Sequence, residues 1–276
     1  MEAFLIEPGG YCFGVKMALQ KAIDAAKGGK AYCLGRLVHN EKTLEELSRH
    51  GVITIDEREI GLSEAVDRLT SGSTVVFSAH GHDPKLERKA KGKGLVIVDA
   101  TCPFVRANVL SAIKSGHVAY IGSKGHAEAE AFLSSAKVDA FFDVGSGKLE
   151  IYGTPKNIIA QTTLSEAEIN EGIAKIKASF PEARFIKGRC EETKTRQEAV
   201  ANSCDKAKTL IVIGSTTSSN ANKLLQIGES RGILSYLAED AKGIEGKRLI
   251  PPVGIACSAS SDYADCLQCL SYVESL

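Results

Sequence analysis

Short apolar runs alternate along the whole chain with segments of helical spacing, and this alternation most constrains the fold. The runs at 74–77 and 210–213 have the length and the branched side chains of buried strands. Between such runs, apolar residues recur every three or four positions, as from Ala18 to Ala26 and from Ile169 to Ile176. This pattern is typical of a parallel α/β architecture, which is the predicted fold class. The predicted strands are 4–6, 74–77, 95–98, 117–121, 157–160, 183–186, 210–213 and 248–255.

Three cysteines recur at a nearly constant interval, 90 and 88 residues apart, at Cys12, Cys102 and Cys190. Each follows a predicted strand and precedes a predicted helix, so each is expected in a loop at the carboxyl end of a strand, where open α/β sheets bind ligands. Other polar residues follow each cysteine at two similar intervals: His39, His126 and Ser218, then His80, Thr162 and Ser260.

This repeat predicts three similar α/β domains around a pseudo-threefold axis, with their strand ends facing one cavity. The expected boundaries are 12–98, 99–186, and 187–276 together with 1–11. Coincidental spacing is the alternative interpretation.

Composition excludes several classes of protein. Lys plus Arg and Asp plus Glu both number 34 among 276 residues, so no overall positive charge favours nucleic acid or an anionic membrane. The N-terminus lacks the pattern of a signal peptide, and no apolar run is long enough to span a bilayer. We therefore expect a cytoplasmic protein without nucleic-acid or membrane partners.

Three converging thiolates can ligate zinc, perform thiol chemistry or hold an iron–sulfur cluster. Structural zinc sites and many ferredoxin clusters use compact motifs, whereas ligands about 90 residues apart must be assembled by the fold, which favours a catalytic centre. A cubane cluster on three cysteines leaves one iron without a protein ligand, and that iron is a Lewis acid. The other five cysteines, which are interpreted as packing residues, are Cys33, Cys204, Cys257, Cys266 and Cys269. For the Cys-x-x-Cys pair Cys266 and Cys269, a redox or metal role is the alternative.

The contexts of these residues resemble, in order, the motifs of the LytB family of 4-hydroxy-3-methylbut-2-enyl diphosphate reductases, from Cys12 to Ser260. The matching segments are Gly10–Val15, Val38–Asn40, Ser78–Gly81, Asp99–Pro103, Gly125–Glu128, Gln161–Ser165, Cys190 with Arg196–Gln197, Gly214–Asn222 and Ala259–Ser260.

The resemblance implies a three-domain α/β trefoil around a central 4Fe-4S cluster, with three cysteine ligands and one open iron. The implied reaction removes the allylic hydroxyl of (E)-4-hydroxy-3-methylbut-2-enyl diphosphate with two electrons and two protons. It gives isopentenyl and dimethylallyl diphosphates, the last step of the methylerythritol phosphate pathway, and needs an external electron donor such as ferredoxin or flavodoxin.

Carried over position by position, the resemblance makes Cys12, Cys102 and Cys190 the cluster ligands. Glu128 and Thr162 match the pair that delivers protons near the substrate hydroxyl, beside His126. The diphosphate and substrate set is His39, His80, His126, Thr162, Ser218, Ser219, Asn220 and Ser260. Such neutral donors can bind a diphosphate without a strong permanent field, in agreement with the zero net charge.

Two departures from the family pattern accompany the match: Phe13 stands where alanine is common, and Glu191 and Glu192 follow Cys190. These carboxylates can lower the reduction potential of a cluster or simply be solvated at a helix start. Two rival functions remain open, an iron–sulfur or zinc sensor on the same scaffold and a thiol-based enzyme. A carboxyl group that can donate a proton, such as that of Glu128, favours the reductase over the sensor, because a sensor does not need a proton donor.

Overall fold

The computed structural model describes residues 1–38, 40–57 and 59–276. Its strands are β1 (Ala3–Ile6), β2 (Ala31–Leu34), β3 (Val52–Ile55), β4 (Thr74–Phe77), β5 (Val96–Asp99), β6 (Val118–Gly122), β7 (Ala140–Asp143), β8 (Lys148–Ile151), β9 (Asn157–Ala160), β10 (Arg184–Lys187), β11 (Thr209–Ile213), β12 (Leu234–Ala238) and β13 (Val253–Cys257). Its α-helices are α1 (Phe13–Ala26), α2 (Glu41–Arg49), α3 (Leu62–Arg68), α4 (Pro84–Gly92), α5 (Pro103–Ser115), α6 (Ala127–Ser135), α7 (Glu166–Ser179), α8 (Glu191–Ser203), α9 (Ser219–Ser230) and α10 (Tyr263–Ser275). The alternation of strands and helices confirms the predicted α/β class.

The chain forms two compact units. Unit 1 contains 1–15, 38–44 and 190–276, and unit 2 contains 16–37 and 45–189. The sheet of unit 1 has the order β1-β13-β11-β12 and is parallel throughout. Its two faces are both covered, because Val212 packs with residues of α8 and α9 while Ile255 packs with the buried face of α10. Burial on both faces explains why these strands are continuously apolar.

Unit 2 contains two sheets. The first has the order β3-β2-β4-β5 and is parallel, and the second has the order β10-β9-β6-β7-β8. Only the β7–β8 pair of the second sheet is antiparallel. The carboxyl ends of β6 and β9, which are parallel neighbours, therefore lie at the same edge of this sheet, and both chain segments that follow them carry predicted site residues.

Each of the eight predicted strands corresponds to an observed one, and the ends of seven of them agree or differ by one residue. The run at 248–255 is the exception, because only its last part belongs to β13. Pro251 and Pro252 have no backbone N–H for a sheet ladder, so the strand begins at Val253. The sequence pattern did not predict β2, β3, β7, β8 or β12.

One sheet falls within each third of the sequence that the cysteine repeat marks out. The first two thirds nevertheless share unit 2, so the division into three domains stays a prediction. In the described part of the chain, no helix has the length and apolar character needed to cross a bilayer.

Candidate active site

All three repeated cysteines lie directly before a helix. Cys102 and Cys190 are the N-caps of α5 and α8, and Cys12 immediately precedes α1. The three thiols are partly exposed, whereas the other five cysteines are buried. Each of the three sulfurs therefore lies at a helix start, where the first backbone N–H groups have no acceptor within the helix.

Cys12 and Cys190 interact within unit 1. Burial raises the pKa of Cys12, and the charge of Cys190 raises it further. Backbone N–H groups of Gly14 and Val15 donate to the Cys12 sulfur and act in the opposite direction, lowering its pKa. The Cys190 sulfur accepts a hydrogen bond from the Thr193 N–H at 3.4 Å, and the Thr193 hydroxyl lies 3.1 Å from it. Backbone N–H groups therefore donate to both sulfurs, and such hydrogen bonds influence the reduction potential of a cluster.

The three cysteines have the chemistry that an iron–sulfur cluster needs, because each offers a sulfur atom at the start of a helix. Within the described ranges, no three His, Cys, Asp or Glu side chains are grouped closely enough to hold a metal ion. Cys102 belongs to unit 2, and its ligand role, like the number of ligands, stays a prediction.

Glu128 and Thr162 are joined by two hydrogen bonds within unit 2. The Thr162 N–H donates to Glu128 Oε1 at 2.8 Å, and the Thr162 hydroxyl donates to Oε2 at 2.7 Å. Glu128 is 2 % exposed and Thr162 is 5 % exposed. Burial raises the pKa of Glu128 to about 7, although both hydrogen bonds from Thr162 lower it. A carboxyl with this pKa holds a proton near neutral pH and can donate it.

The sheet brings this pair together. Thr162 follows β9 and Glu128 lies in the first turn of α6, which follows β6, the parallel neighbour of β9. Gln161 links the segment after β9 to the segment after β6. Its Oε1 accepts a hydrogen bond from the Ser123 N–H at 2.9 Å, and its Nε2 donates to the Thr163 hydroxyl at 2.8 Å. Gln161 is fully buried, so this cross-link is shielded from water.

His126 is the N-cap of α6, and its Nδ1 accepts the Glu128 N–H at 3.1 Å. Because an amide can only donate, Nδ1 carries no proton and the proton of the neutral ring is on Nε2. The rings of His126 and His80 lie 5.8 Å apart, nearly perpendicular. Ser78 Oγ lies 3.5 Å from His80 Nδ1. Unit 2 thus places two predicted diphosphate ligands together, whereas His39 lies outside the described residues.

The serine and asparagine residues predicted to bind the diphosphate meet in unit 1. Ser218 is the N-cap of α9, and its hydroxyl lies 3.1 Å from that of Ser260. Asn220 Oδ1 accepts the Ala259 N–H at 2.9 Å. Its Nδ2 is buried without a hydrogen-bond partner among the described residues. A buried donor without an acceptor is costly, so this amide is suited to an anion that supplies one.

A helix start lies at this predicted anion site. The first backbone N–H groups of α9 have no acceptor within the helix, and Ser219 is its first residue. In comparisons with known proteins, the family model described as "LytB protein" matches residues 3–274.

The chain belongs to the LytB family.

Curated relatives of this LytB chain carry the name 4-hydroxy-3-methylbut-2-enyl diphosphate reductase. The protein of that name from Bacillus cytotoxicus is 35% identical over 290 aligned positions, covering 99% of this chain and 90% of the relative. That from Geobacillus kaustophilus is 34% identical and covers 89% of this chain and 80% of the relative.

Solved structures of such reductases are also similar. The E-1-hydroxy-2-methyl-but-2-enyl-4-diphosphate reductase from Plasmodium falciparum matches with a TM-score of 0.82 and 26% identity, over 100% of this chain and 87% of that one. A second structure, described as the terminal enzyme of the non-mevalonate pathway, matches with a TM-score of 0.66 and 27% identity over all of both chains. These matches confirm the predicted family and fold.

Sequence reasoning assigned no role to Thr193 and Arg196 in unit 1 of this LytB chain or to Gln161 in unit 2. Thr193 contacts a predicted cluster ligand, and its place three residues into a helix that Cys190 caps was the available signal. Gln161 and Arg196 were both quoted in motifs without a role. The acidic residues after Cys190 lie in the first turn of α8, and Glu191 is 74 % exposed there.

Proposed function

We propose that this chain reduces (E)-4-hydroxy-3-methylbut-2-enyl diphosphate. The carbon–oxygen bond of the allylic hydroxyl breaks, two electrons and two protons are consumed, and the products are water with isopentenyl or dimethylallyl diphosphate. Membership of the LytB family and the names of the curated relatives support this reaction over a sensor. The observation that carries it is the buried carboxyl of Glu128, because burial places its pKa at about 7, where a general acid is effective.

The residues proposed to hold the cofactor are Cys12, Cys102 and Cys190. The family is one of iron–sulfur enzymes, and three ligands suit a 4Fe-4S cluster with one iron open to substrate. Such a cluster supplies electrons and a Lewis acid when it is bound. The electrons come from an external donor of the ferredoxin or flavodoxin class.

The diphosphate is bound by neutral donors. His80 and His126 lie together in unit 2, and the proton on His126 Nε2 is available to a phosphate oxygen. In unit 1, Ser218, Ser219 and Ser260 and the buried amide of Asn220 surround the start of α9. His39 joins this set on the resemblance alone.

Glu128 delivers a proton to the departing hydroxyl. Its carboxyl is kept in one orientation by two hydrogen bonds from Thr162, and because burial raises its pKa to about 7, a large fraction of it carries a proton at neutral pH. The Thr162 hydroxyl can turn from Glu128 toward the substrate oxygen, which gives it an orienting role. His126 fixes the backbone of Glu128 through its Nδ1 while its other ring nitrogen binds substrate.

Anaerobic reconstitution tests the function and the ligand set together. Cys12, Cys102 and Cys190 are each changed to alanine, with Cys204→Ala at the end of α8 as the matched control. We expect the control to keep its iron, its sulfide and its turnover with a reduced one-electron donor. Each of the three other variants should lose iron, sulfide and turnover.

Two results contradict the proposal. Normal cluster content in all three variants would refute the ligand assignment. A wild-type protein that binds a cluster but forms no isopentenyl or dimethylallyl diphosphate would instead be a sensor.

A further inference from the structure

The guanidinium of Arg196, a residue in the middle of α8, is buried against backbone carbonyl groups. Arg196 is 3 % exposed. Its Nη1 donates to Pro8 O at 2.8 Å and to Cys257 O at 3.1 Å. Its Nη2 donates to Gly10 O at 2.8 Å. One side chain thus joins three separate segments of unit 1.

Each joined segment leads to a residue of the proposed site. The carbonyl groups of Pro8 and Gly10 belong to the loop that ends at Cys12. Cys257 ends β13 and precedes the turn that carries Ser260. The helix of Arg196 itself begins after Cys190. A further bond, from the Cys12 N–H to Ala259 O at 3.1 Å, ties the first segment to the second.

The charge of Arg196 is only weakly balanced. Among the described residues its only carboxylate partner is Glu192, at 3.7 Å, and that side chain is 39 % exposed. Three carbonyl oxygens satisfy N–H groups but supply no negative charge. A buried cation is costly unless an anion lies near it.

We propose that Arg196 is a positioning residue that holds Cys12, Cys190 and the Ser260 turn in the arrangement that accepts a negatively charged cluster and a diphosphate. The inference rests on the proposed cluster ligands and goes beyond them, because the hydrogen bonds of Arg196 go to backbone carbonyl groups and not to the sulfur atoms. Its planar fork is essential, since a lysine ammonium is compact and cannot reproduce two parallel sets of N–H donors.

Hydrogen exchange of the protein without its cluster tests the positioning directly. Arg196→Lys keeps the charge and loses the fork, while Arg196→Gln loses both. We expect amide exchange in segments 7–14 and 256–262 to rise about 10-fold in the lysine variant and more in the glutamine variant, with α10 unchanged. Arg231→Lys is the control, because Arg231 is 55 % exposed and its ion pair to Asp205 spans 4.0 Å.

Cluster lability gives the second readout. After anaerobic reconstitution, iron loss to a chelator, followed in the visible spectrum, should be about 10-fold faster in Arg196→Lys than in the wild type. Arg231→Lys should match the wild type. Binding of inorganic pyrophosphate should also weaken in both Arg196 variants, because the Ser260 turn is held by the same guanidinium.

Three results would overturn the inference: unchanged exchange in segments 7–14 and 256–262, faster exchange throughout unit 1 including α10, or local loosening with wild-type resistance to the chelator. If the wild type itself takes up no iron while both segments loosen in the variants, the cluster assignment fails and the positioning role of Arg196 stands.

Discussion

The pair Glu128–Thr162 is buried, and the group Ser218–Asn220–Ser260 is buried except at Ser260, which is partly exposed, but only in the first do all the polar side-chain atoms have partners. Both oxygens of Glu128 accept hydrogen bonds from Thr162. In the second group, serine hydroxyls contact one another and the Asn220 amide nitrogen has no partner among the described residues. The predicted proton donor is therefore organised by the protein alone, whereas the predicted anion site has an N–H donor left for a ligand.

This difference predicts different consequences of mutation. Changing a complete acid site should alter the chemical step and leave binding almost intact, because its contacts lie within the protein. Changing the incomplete site should alter affinity, because its unpaired donor is satisfied only when an anion binds. Separate measurements of binding and turnover can therefore contradict or sharpen the comparison.

The largest effect is expected for Glu128→Gln. Glutamine keeps the shape and an acceptor for the Thr162 N–H but cannot act as an acid. Turnover with an artificial one-electron donor should fall by about 100-fold or more, the scale for losing a positioned acid. Iron, sulfide and pyrophosphate affinity should stay near those of the wild type. Normal turnover would show that the proton has another route, and loss of the cluster would make Glu128 structural.

The second largest effect is expected for Asn220→Asp, which should weaken diphosphate binding. Aspartate keeps the oxygen that accepts the Ala259 N–H and replaces the unpaired donor with a negative oxygen. We expect pyrophosphate affinity, measured by calorimetry, to fall at least about 10-fold, since hydrogen bonds to charged groups contribute about 1.5–3 kcal/mol. Asn202→Asp, an exposed change of equal charge in α8, is the control. Equal losses in both variants would indicate a general charge effect.

The pH dependence of turnover should report Glu128. Since the acid form is required and its pKa is about 7, the rate should fall as pH rises through 7, approaching 10-fold per pH unit above about pH 8. Asn220→Asp should keep this alkaline limb and Glu128→Gln should lose it. If the rate of Glu128→Gln still falls at alkaline pH, a different ionising group causes the fall.

The same ionisation should change stability. The folded pKa of Glu128 lies above that of an unfolded carboxyl, near 4.5, so the folded state binds more protons between these values. The wild type should therefore lose stability relative to Glu128→Gln as pH rises from about 4.5 to 7. Urea unfolding of both proteins at pH 5 and pH 8 measures this, and an unchanged difference would contradict the raised pKa.

Thr162→Ala should have the smallest effect on the rate, about 10-fold, because water can partly replace a hydroxyl. Loss of the hydroxyl also removes a hydrogen bond that lowers the pKa of Glu128, so the alkaline limb should move to higher pH. Thr162→Ser keeps the hydroxyl and is the matched control. A limb that moves equally in both variants would exclude the hydroxyl as the cause.

Much of the site could be predicted from local sequence because its residues follow strands or cap helices. Cys102, Cys190 and Ser218 are N-caps, and this position follows from the order of strand, loop and helix. The missed strands share no single pattern, since β3 is a branched apolar run like those that were predicted. Of these, β8 alternates charged and apolar residues because it is an antiparallel edge strand.

The sequence by itself determined the α/β class, the family and the identity of the candidate ligands, because these depend on periodicity and on motifs within a few residues. Tertiary structure decided the rest. Glu128 meets Thr162 only because β6 pairs with β9 in parallel, and its raised pKa exists only because that contact is buried. The role proposed for Arg196 likewise depends on three carbonyl groups that are all far from Arg196 in sequence and accept hydrogen bonds from its guanidinium in the folded chain. Burial and long-range contacts are properties of the folded chain, and no local pattern contains them.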